Sequence, residues 1–241
     1  MADCGRAAAD VLGLEWEDCQ VIWGDTSQNL PYSSVQAGSQ TAHAHTRANH
    51  AAGLDLKQKL QEIAAATLGG SANSYRTSRG RVSGPGGSIS FAQAAQRAIE
   101  LGGKYSGEVL PDDINQVTTA SATALSGQGV MGVAKDNFSH DGSTYSWVIG
   151  FAVVELDVET GDVQIVDYTG SADCGVVLHP RSLGAQIHGG SVQGFGQARS
   201  QKWVLDPKWG VPFSHRLYTA RPPGILDVPL KMEWAAAGVP D

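Results

Sequence analysis

The chain has 241 residues, of which 41% are hydrophobic and 17% charged, and a formal net charge of −7. That length can bury a sizeable core in one large or two small domains, and the composition is that of an ordered protein rather than a disordered one. The negative charge argues against a nucleic-acid partner, since phosphate neutralisation needs clustered Lys and Arg. The one basic cluster, Arg76, Arg79 and Arg81, sits in a Gly/Ser-rich loop. Three cysteines (Cys4, Cys19, Cys174) have neither metal-type spacing nor the even number of a disulfide set, as a reducing cytoplasm leaves them. No apolar run approaches the ~20 residues of a membrane helix, and the N-terminus lacks the charged-then-apolar layout of a signal peptide.

Taken in order, residues 2–14 read as a short amphipathic helix with Ala7, Val11 and Leu14 near one face and Gly13 ending it. It has no lead-in, as if the chain started mid-fold. Residues 18–24 follow as a strand around Val21, Ile22 and Trp23, and residues 25–36 as a polar, proline-broken loop. A long helix is expected over 37–68, where Ala42, His45, Ala52, Leu56, Leu60, Ile63 and Ala64 recur at helical spacing before Gly69-Gly70 stops it. Residues 71–88 suggest a small ribbon around Tyr75 and Val82. Ser90 caps a helix over 91–101, and 104–109 reads as a strand. Residues 111–142 are Ser/Thr/Gly-rich with weak periodicity, the pattern of a connecting segment.

The strongly apolar run 146–158 has the composition of a strand buried on both faces. Glu159-Thr160-Gly161-Asp162 turns it into a second strand through Val163, Ile165 and Asp167, forming a hairpin. His179-Pro180 opens a helix to about residue 202, since proline suits the first helical turn. Six of the ten prolines lie in the tail from Val204, which is therefore extended. The fold class is α+β, a mixed α/β arrangement with long helices packed on mixed sheets. Its expected parts are a first subdomain at 1–110, a connecting segment at 111–142, and a hairpin, helix and extended tail at 143–241.

Five groups of residues could carry chemistry. At 36–41 a glycine, two hydroxyls and the free N–H groups of a helix start suit an anion or a polar ring edge; an ordinary serine cap explains the same residues. Gln186 offers a donor and an acceptor that can read a heteroaromatic edge, and Gly189, Gly190, Gly194 and Gly196 leave a ligand room. Close helix packing through Gly190 and Gly194 is the alternative. The spacing is not the dinucleotide G-x-G-x-x-G. His43, His45 and His50 lack the i, i+4 pairing of a helical metal site, so no metal ligands are assigned. Glu155, Asp157 and Glu159 are either paired carboxylates for acid–base work or the solvated end of a strand. No Ser-His-Asp or Cys-His set can be proposed, and Cys174 reads as a small buried residue.

Several ordered segments together resemble the xanthine dehydrogenase/aldehyde oxidase family. GDTSQNLPYSSVQAGSQTAHAHTRA (24–48) is similar to its strand, proline-containing loop and Gly-Ser-x-Thr helix start. VVELDVETGDVQIVDYTGSADCG (153–175) resembles its Glu-x-Asp-x-x-Thr-Gly hairpin, and Gln186 to Gly196 its Gln-x-x-Gly-x-x-x-Gln-Gly-x-Gly helix. Asp227-Val228-Pro229 matches a further signature. The likeness covers nearly the whole chain and is weakest at 71–141.

The resemblance implies the second molybdopterin-binding domain of a molybdenum hydroxylase large subunit. Gly38, Ser39, Gln40 and Thr41 would cradle molybdopterin, often a cytosine dinucleotide in bacteria, and Gln186 would hydrogen-bond its pterin side, all on one cleft. The implied reaction hydroxylates an aldehyde or N-heteroaromatic substrate with water as the oxygen source. Electrons would leave through Fe–S and FAD groups on partner domains or subunits, including a flavin or cytochrome subunit. The family's catalytic glutamate, in a Gly-x-Gly-Glu motif, is absent, so no catalytic residue is assigned. The first cofactor-binding half, with its Gly-Gly-Phe-Gly-Gly loop, is absent too. These departures mark the chain as a fragment expected to be inactive alone, with the N-terminal half of a large subunit as partner and the cytoplasm as its place, or the periplasm if a partner carries it there. The alternative is a truncated or degenerate family member acting as a scaffold.

Overall fold

The structure, a computed structural model, describes residues 2–32, 35–136 and 145–238. Met1, residues 33–34 of the polar loop, 137–142 at the end of the expected connecting segment, 143–144 at the start of the part expected after it, and 239–241 lie outside the described residues. The chain forms two compact units, 1–139 and 140–241.

In the first unit a 3-10 turn (Ala2–Gly5) leads into α1 (Arg6–Leu12), which ends at Gly13 with φ of +68°. The long helix α2 spans Thr41–Leu68. Gly53 lets α1 lie close on it, for a side chain there would come within 3.0 Å of the Ala8 backbone. The ribbon is a three-stranded antiparallel sheet of β1 (Arg76–Ser78), β2 (Arg81–Gly84) and β3 (Gly87–Ser90). Val82 stands opposite Ile89, and both point into the core. Ser90 ends β3 and caps α3 (Phe91–Leu101): its hydroxyl accepts from the Gln93 N–H, and the Gln93 side chain accepts from the Ser90 N–H. That reciprocal cap satisfies two helix-end donors at once.

Leu12, Leu60, Ile63, Ala64, Tyr75, Val82, Ile89, Ala94 and Ala98 form the core of this unit. Each fully buried large aliphatic side chain among them stabilises by about 1.5–3 kcal/mol. Tyr75 is buried completely because its hydroxyl donates to the Gly69 carbonyl at 2.7 Å.

The sequence reading needs three corrections here. Residues 18–24 form no strand: a 3-10 turn (Trp16–Asp18) is followed by irregular chain, with Ile22 and Trp23 exposed. A strand needs a partner ladder, and among the described residues this segment has none. Residues 104–109 are likewise not a strand, since positive φ at Gly102 and Gly103 turns the chain into a single helical turn, α4 (Gly103–Ser106), ended by Gly107. Beyond it the Ser/Thr-rich stretch contains a helix, α5 (Gln116–Leu125), started by Asn115, whose side chain accepts from the Thr118 N–H at 2.8 Å. After α5, residues 130–136 lie along α2. Lys59, buried and paired with Asp55 at 2.7 Å, donates to the Met131 carbonyl, Asp55 accepts from the Val133 N–H, and Arg47 pairs with Asp136 at 2.6 Å.

The second unit is built on a mixed sheet of order β4-β5-β6. β4 (Trp147–Leu156) and β5 (Val163–Asp173) form the expected hairpin, with a register shift between Val153 and Val154. β6 (Lys231–Ala236) comes from the proline-rich tail and runs parallel to β5, with Lys231 paired to Asp167 at 2.9 Å. α6 (Pro180–Arg199) packs on β5 and β6, and α7 (Leu217–Ala220) is a single turn in the tail. Tyr168 of β5 meets Phe195 of α6 edge to face at 5.1 Å. The expectation that the apolar run is buried on both faces is overturned: β4 is exposed along its whole length, because α6 packs mainly on β5 and β6. The two sheets and the helices packed on them make the fold α+β.

Candidate cofactor-binding site

The first group of predicted residues meets in one turn. Gly38 and Ser39 both have positive φ (+59° and +55°), and Gln40 then enters the helical region to start α2 at Thr41. Ser39 is thus not the helix cap; Gln40 occupies that position. A serine in the left-handed region costs roughly 1–2 kcal/mol relative to ordinary backbone, and such cost is retained where the surroundings require the turn. The turn is fastened from the side of the loop: the Gln40 amide donates to the Val35 carbonyl at 2.7 Å, and the Thr41 hydroxyl donates to the Gln36 amide oxygen. The Cys4 thiol reaches the Thr41 carbonyl at 3.7 Å. Gly38 and Ser39 are exposed, and Gln40 and Thr41 are half-buried. The first-turn N–H groups of α2, which have no intrahelical acceptor, carry the positive end of the helix dipole.

The second group lies on α6, in the other unit. Proline occupies the first turn as expected, and the His179 ring nitrogen Nδ1 accepts from the Ser182 N–H at 3.1 Å, so the residue before the proline is the cap. One side of α6 packs and the other does not. A side chain at Gly184 would come within 2.5 Å of the Trp234 indole, and one at Gly196 within 2.5 Å of Pro223. Side chains at Gly189, Gly190 or Gly194 would meet nothing within 4 Å. The packing glycines are therefore 184 and 196, not 190 and 194. Gln186 is exposed on the bare side. Gln193, the second glutamine of the motif, and Gln197, not singled out from the sequence, are exposed seven and eleven residues further on and share its helix face. That spacing was the available signal.

The remaining groups resolve into structure. Asp157 sits just after β4, where its carboxylate accepts from the Glu159 N–H at 2.8 Å and the Thr160 N–H at 3.2 Å. Those N–H groups, with the Thr160 hydroxyl, hold its carboxyl below the ordinary range, which suits a turn and not a proton carrier. His43 lies 3.2 Å from the Arg47 guanidinium. Among the described residues no three His, Cys, Asp or Glu side chains are grouped to hold a metal ion. No helix among them is long and apolar enough to cross a membrane.

Comparison with known proteins shows the family. Residues 4–229 match the molybdopterin cofactor-binding domain.

The chain belongs to this family.

It is 28% identical over 201 residues to the nicotine 6-hydroxylase large subunit of Paenarthrobacter nicotinovorans, a match covering 83% of this chain and 22% of the relative. It is 26% identical over 225 residues to the probable hypoxanthine oxidase XdhD of Escherichia coli, covering 93% and 21%. The structure of quinoline 2-oxidoreductase from Pseudomonas putida 86 superimposes on 99% of the chain with a TM-score of 0.59 at 20% identity, and covers 28% of that protein. This last likeness shows the fold. The chain is a molybdopterin-binding domain of the xanthine oxidase type, and it spans little more than a fifth of the length of the curated relatives it matches.

Proposed function

We propose that the chain supplies part of the cofactor cradle of a molybdenum hydroxylase large subunit. Gly38, Ser39, Gln40 and Thr41 hold molybdopterin, or its cytosine dinucleotide, through backbone N–H groups and hydroxyls, and Gln186 hydrogen-bonds the pterin. The observation that carries this reading is the family match across residues 4–229, which includes both segments. The residues fit the group. Phosphate oxygens are matched by helix-start N–H groups. A pterin edge with N–H and C=O side by side is matched by a glutamine amide, and the open positions at Gly189 and Gly190 admit a flat ring.

When bound, the molybdenum group supplies hydroxylation of an aldehyde or N-heteroaromatic substrate with water as the oxygen source. The residues of this chain position that group; they neither ligate the metal nor move the proton. No Gly-x-Gly-Glu sequence occurs in the 241 residues, so the basic carboxylate belongs to another segment, and the chain alone is expected to hydroxylate nothing. The remaining half of a large subunit, an Fe–S subunit and a flavin or cytochrome subunit are the proposed partners. The three free cysteines suit a reducing cytoplasm.

The test is cofactor content. The chain, expressed in a host that makes molybdopterin cytosine dinucleotide, is expected to carry molybdenum by mass spectrometry and pterin by fluorescence. Gln186→Leu removes a donor and an acceptor and is expected to lower pterin retention roughly tenfold, the order of one or two lost hydrogen bonds. Wild-type protein free of both molybdenum and pterin would favour the scaffold reading instead.

A further inference from the structure

The outer strand of the second unit is built to be covered. β4 hydrogen-bonds to β5 along one edge, and about half of its N–H and C=O groups point the other way. Among the described residues nothing pairs with that edge. The strand is apolar on both faces. Tyr168, opposite Ala152, packs against Phe195, so that pair lies on the α6 side. Trp147, Ile149, Phe151 and Val153 alternate onto the opposite side, across from Asp173, Ser171, Thr169 and Asp167. Trp147 is 71% and Phe151 69% exposed.

The size of this surface matters. Two aromatic side chains alone offer about 150–250 Å² each, and the valines, Ile149 and Leu156 add to them. That approaches the ~800 Å² per partner of a standard interface and exceeds the ~300–600 Å² patch of an ordinary monomer.

Backbone chemistry selects the occupant. A helix satisfies its own N–H and C=O groups and would leave the β4 edge unpaired, whereas an added strand pairs it. Charge narrows the choice further. From Glu155 to Gln164 the hairpin end carries Glu155, Asp157, Glu159 and Asp162 and no Lys or Arg. A second copy of this chain fits poorly. Run antiparallel, it would set Tyr145 and Ser146, both uncharged, beside that acidic end; run parallel, it would stack acid on acid.

We propose that β4 receives an apolar β-strand from the remainder of a molybdenum hydroxylase large subunit, with Lys or Arg at the end meeting the β4–β5 turn. The source of the strand rests on the reading above. The curated relatives, of which this chain matches 21–22%, carry ample further chain to supply one.

The full chain is mixed with overlapping synthetic peptides drawn from the nicotine 6-hydroxylase large subunit outside the matched region, and amide exchange of β4 is followed. Peptides with an apolar alternating stretch and a basic end are expected to slow that exchange by about tenfold or more. Replacing their basic residues with glutamate, or Phe151→Lys in the chain, should abolish the effect. Unchanged exchange in α6 shows that the variant still folds. The proposal is overturned if no peptide protects β4, if protection ignores the charge swap, or if the chain alone forms dimers with β4 already protected. Pterin content is scored separately. Protection in pterin-free protein leaves the strand proposal standing after the cofactor reading has failed; pterin without protection does the reverse.

Discussion

Ser39 separates what stabilises this chain from what we propose it binds. Its φ of +55° is one that glycine adopts at little cost and serine does not. Ser39→Gly is expected to raise stability by about 1 kcal/mol in thermal melts while lowering pterin retention, because the hydroxyl is lost. A variant less stable than the wild type would mean that the serine side chain holds the turn itself. A second residue-scale effect is electrostatic. Burial pushes the Glu62 carboxyl up, but hydrogen bonds from Lys104, Gln58 and Tyr105 outweigh it and hold the group below its ordinary range. Lys104, 2.6 Å away, is raised chiefly by its hydrogen bond to Glu62. A carboxyl lowered by folding stabilises fully above its unfolded pKa, and that contribution is lost as pH falls through the lower folded value. The raised lysine contributes at all pH below its unfolded pKa and loses its share as pH climbs through the folded one. Lys104 is half-exposed, so solvent screening keeps the pair to about 0.2–1 kcal/mol at neutral pH. Glu62→Gln should therefore flatten the acid limb of stability below about pH 4 in urea titrations. An acid limb as steep as in the wild type would remove Glu62 from the account.

At the scale of elements, α6 shows one residue type serving opposite ends. Gly184→Ala drives a methyl against the Trp234 indole and should destabilise by about 1–3 kcal/mol, as overpacking does. Gly190→Ala meets nothing and should stabilise by about 1 kcal/mol through helix propensity, yet narrow the bare side and reduce pterin retention. Equal stability for the two variants would refute the assignment of faces. The sequence announced the helix but not which glycines pack, because Trp234 and Pro223 lie far along the chain. The same distinction explains the other elements. Ser90 with Gln93, and the Thr160-Gly161 turn, are local signals, and both the α3 cap and the hairpin were legible. β6 was not, since its parallel partner β5 lies some sixty residues upstream. α5 was hidden by a Ser/Thr/Ala composition with little contrast between faces, and residues 18–24 had strand composition without a strand to pair with. Of the candidate site, residues 38–41 and Gln186 are proposed on motif order, because spacing alone leaves their role open.

For the molecule as a whole, the two units differ in how far they bury themselves. The first has a continuous core joining α1, α2, the ribbon and α3 through Leu12, Leu60, Ile63, Tyr75 and Val82. In the second, the buried hydrophobic residues among those described are Ala172, Ile187 and Phe195, while β4 and tail residues such as Trp203, Leu226 and Leu230 are exposed. At about 25 cal/mol per Å² of apolar surface removed from water, the first unit gains far more against the similar conformational entropy each residue loses. Local stability follows buried contact, and amide exchange reports it. Central amides of α2 should therefore be protected by the full unfolding free energy of their unit, and those of β5 should exchange at least about a hundredfold faster, a gap near 3 kcal/mol. Denaturant unfolding should show two steps, with the tryptophans of the second unit (Trp147, Trp203, Trp209 and Trp234) reporting the earlier one. A single transition with uniform protection in α2 and β5 would show that the units share one cooperative core. Covering β4 with its proposed strand should bring the two steps together, because the apolar surface responsible for the difference would then be buried.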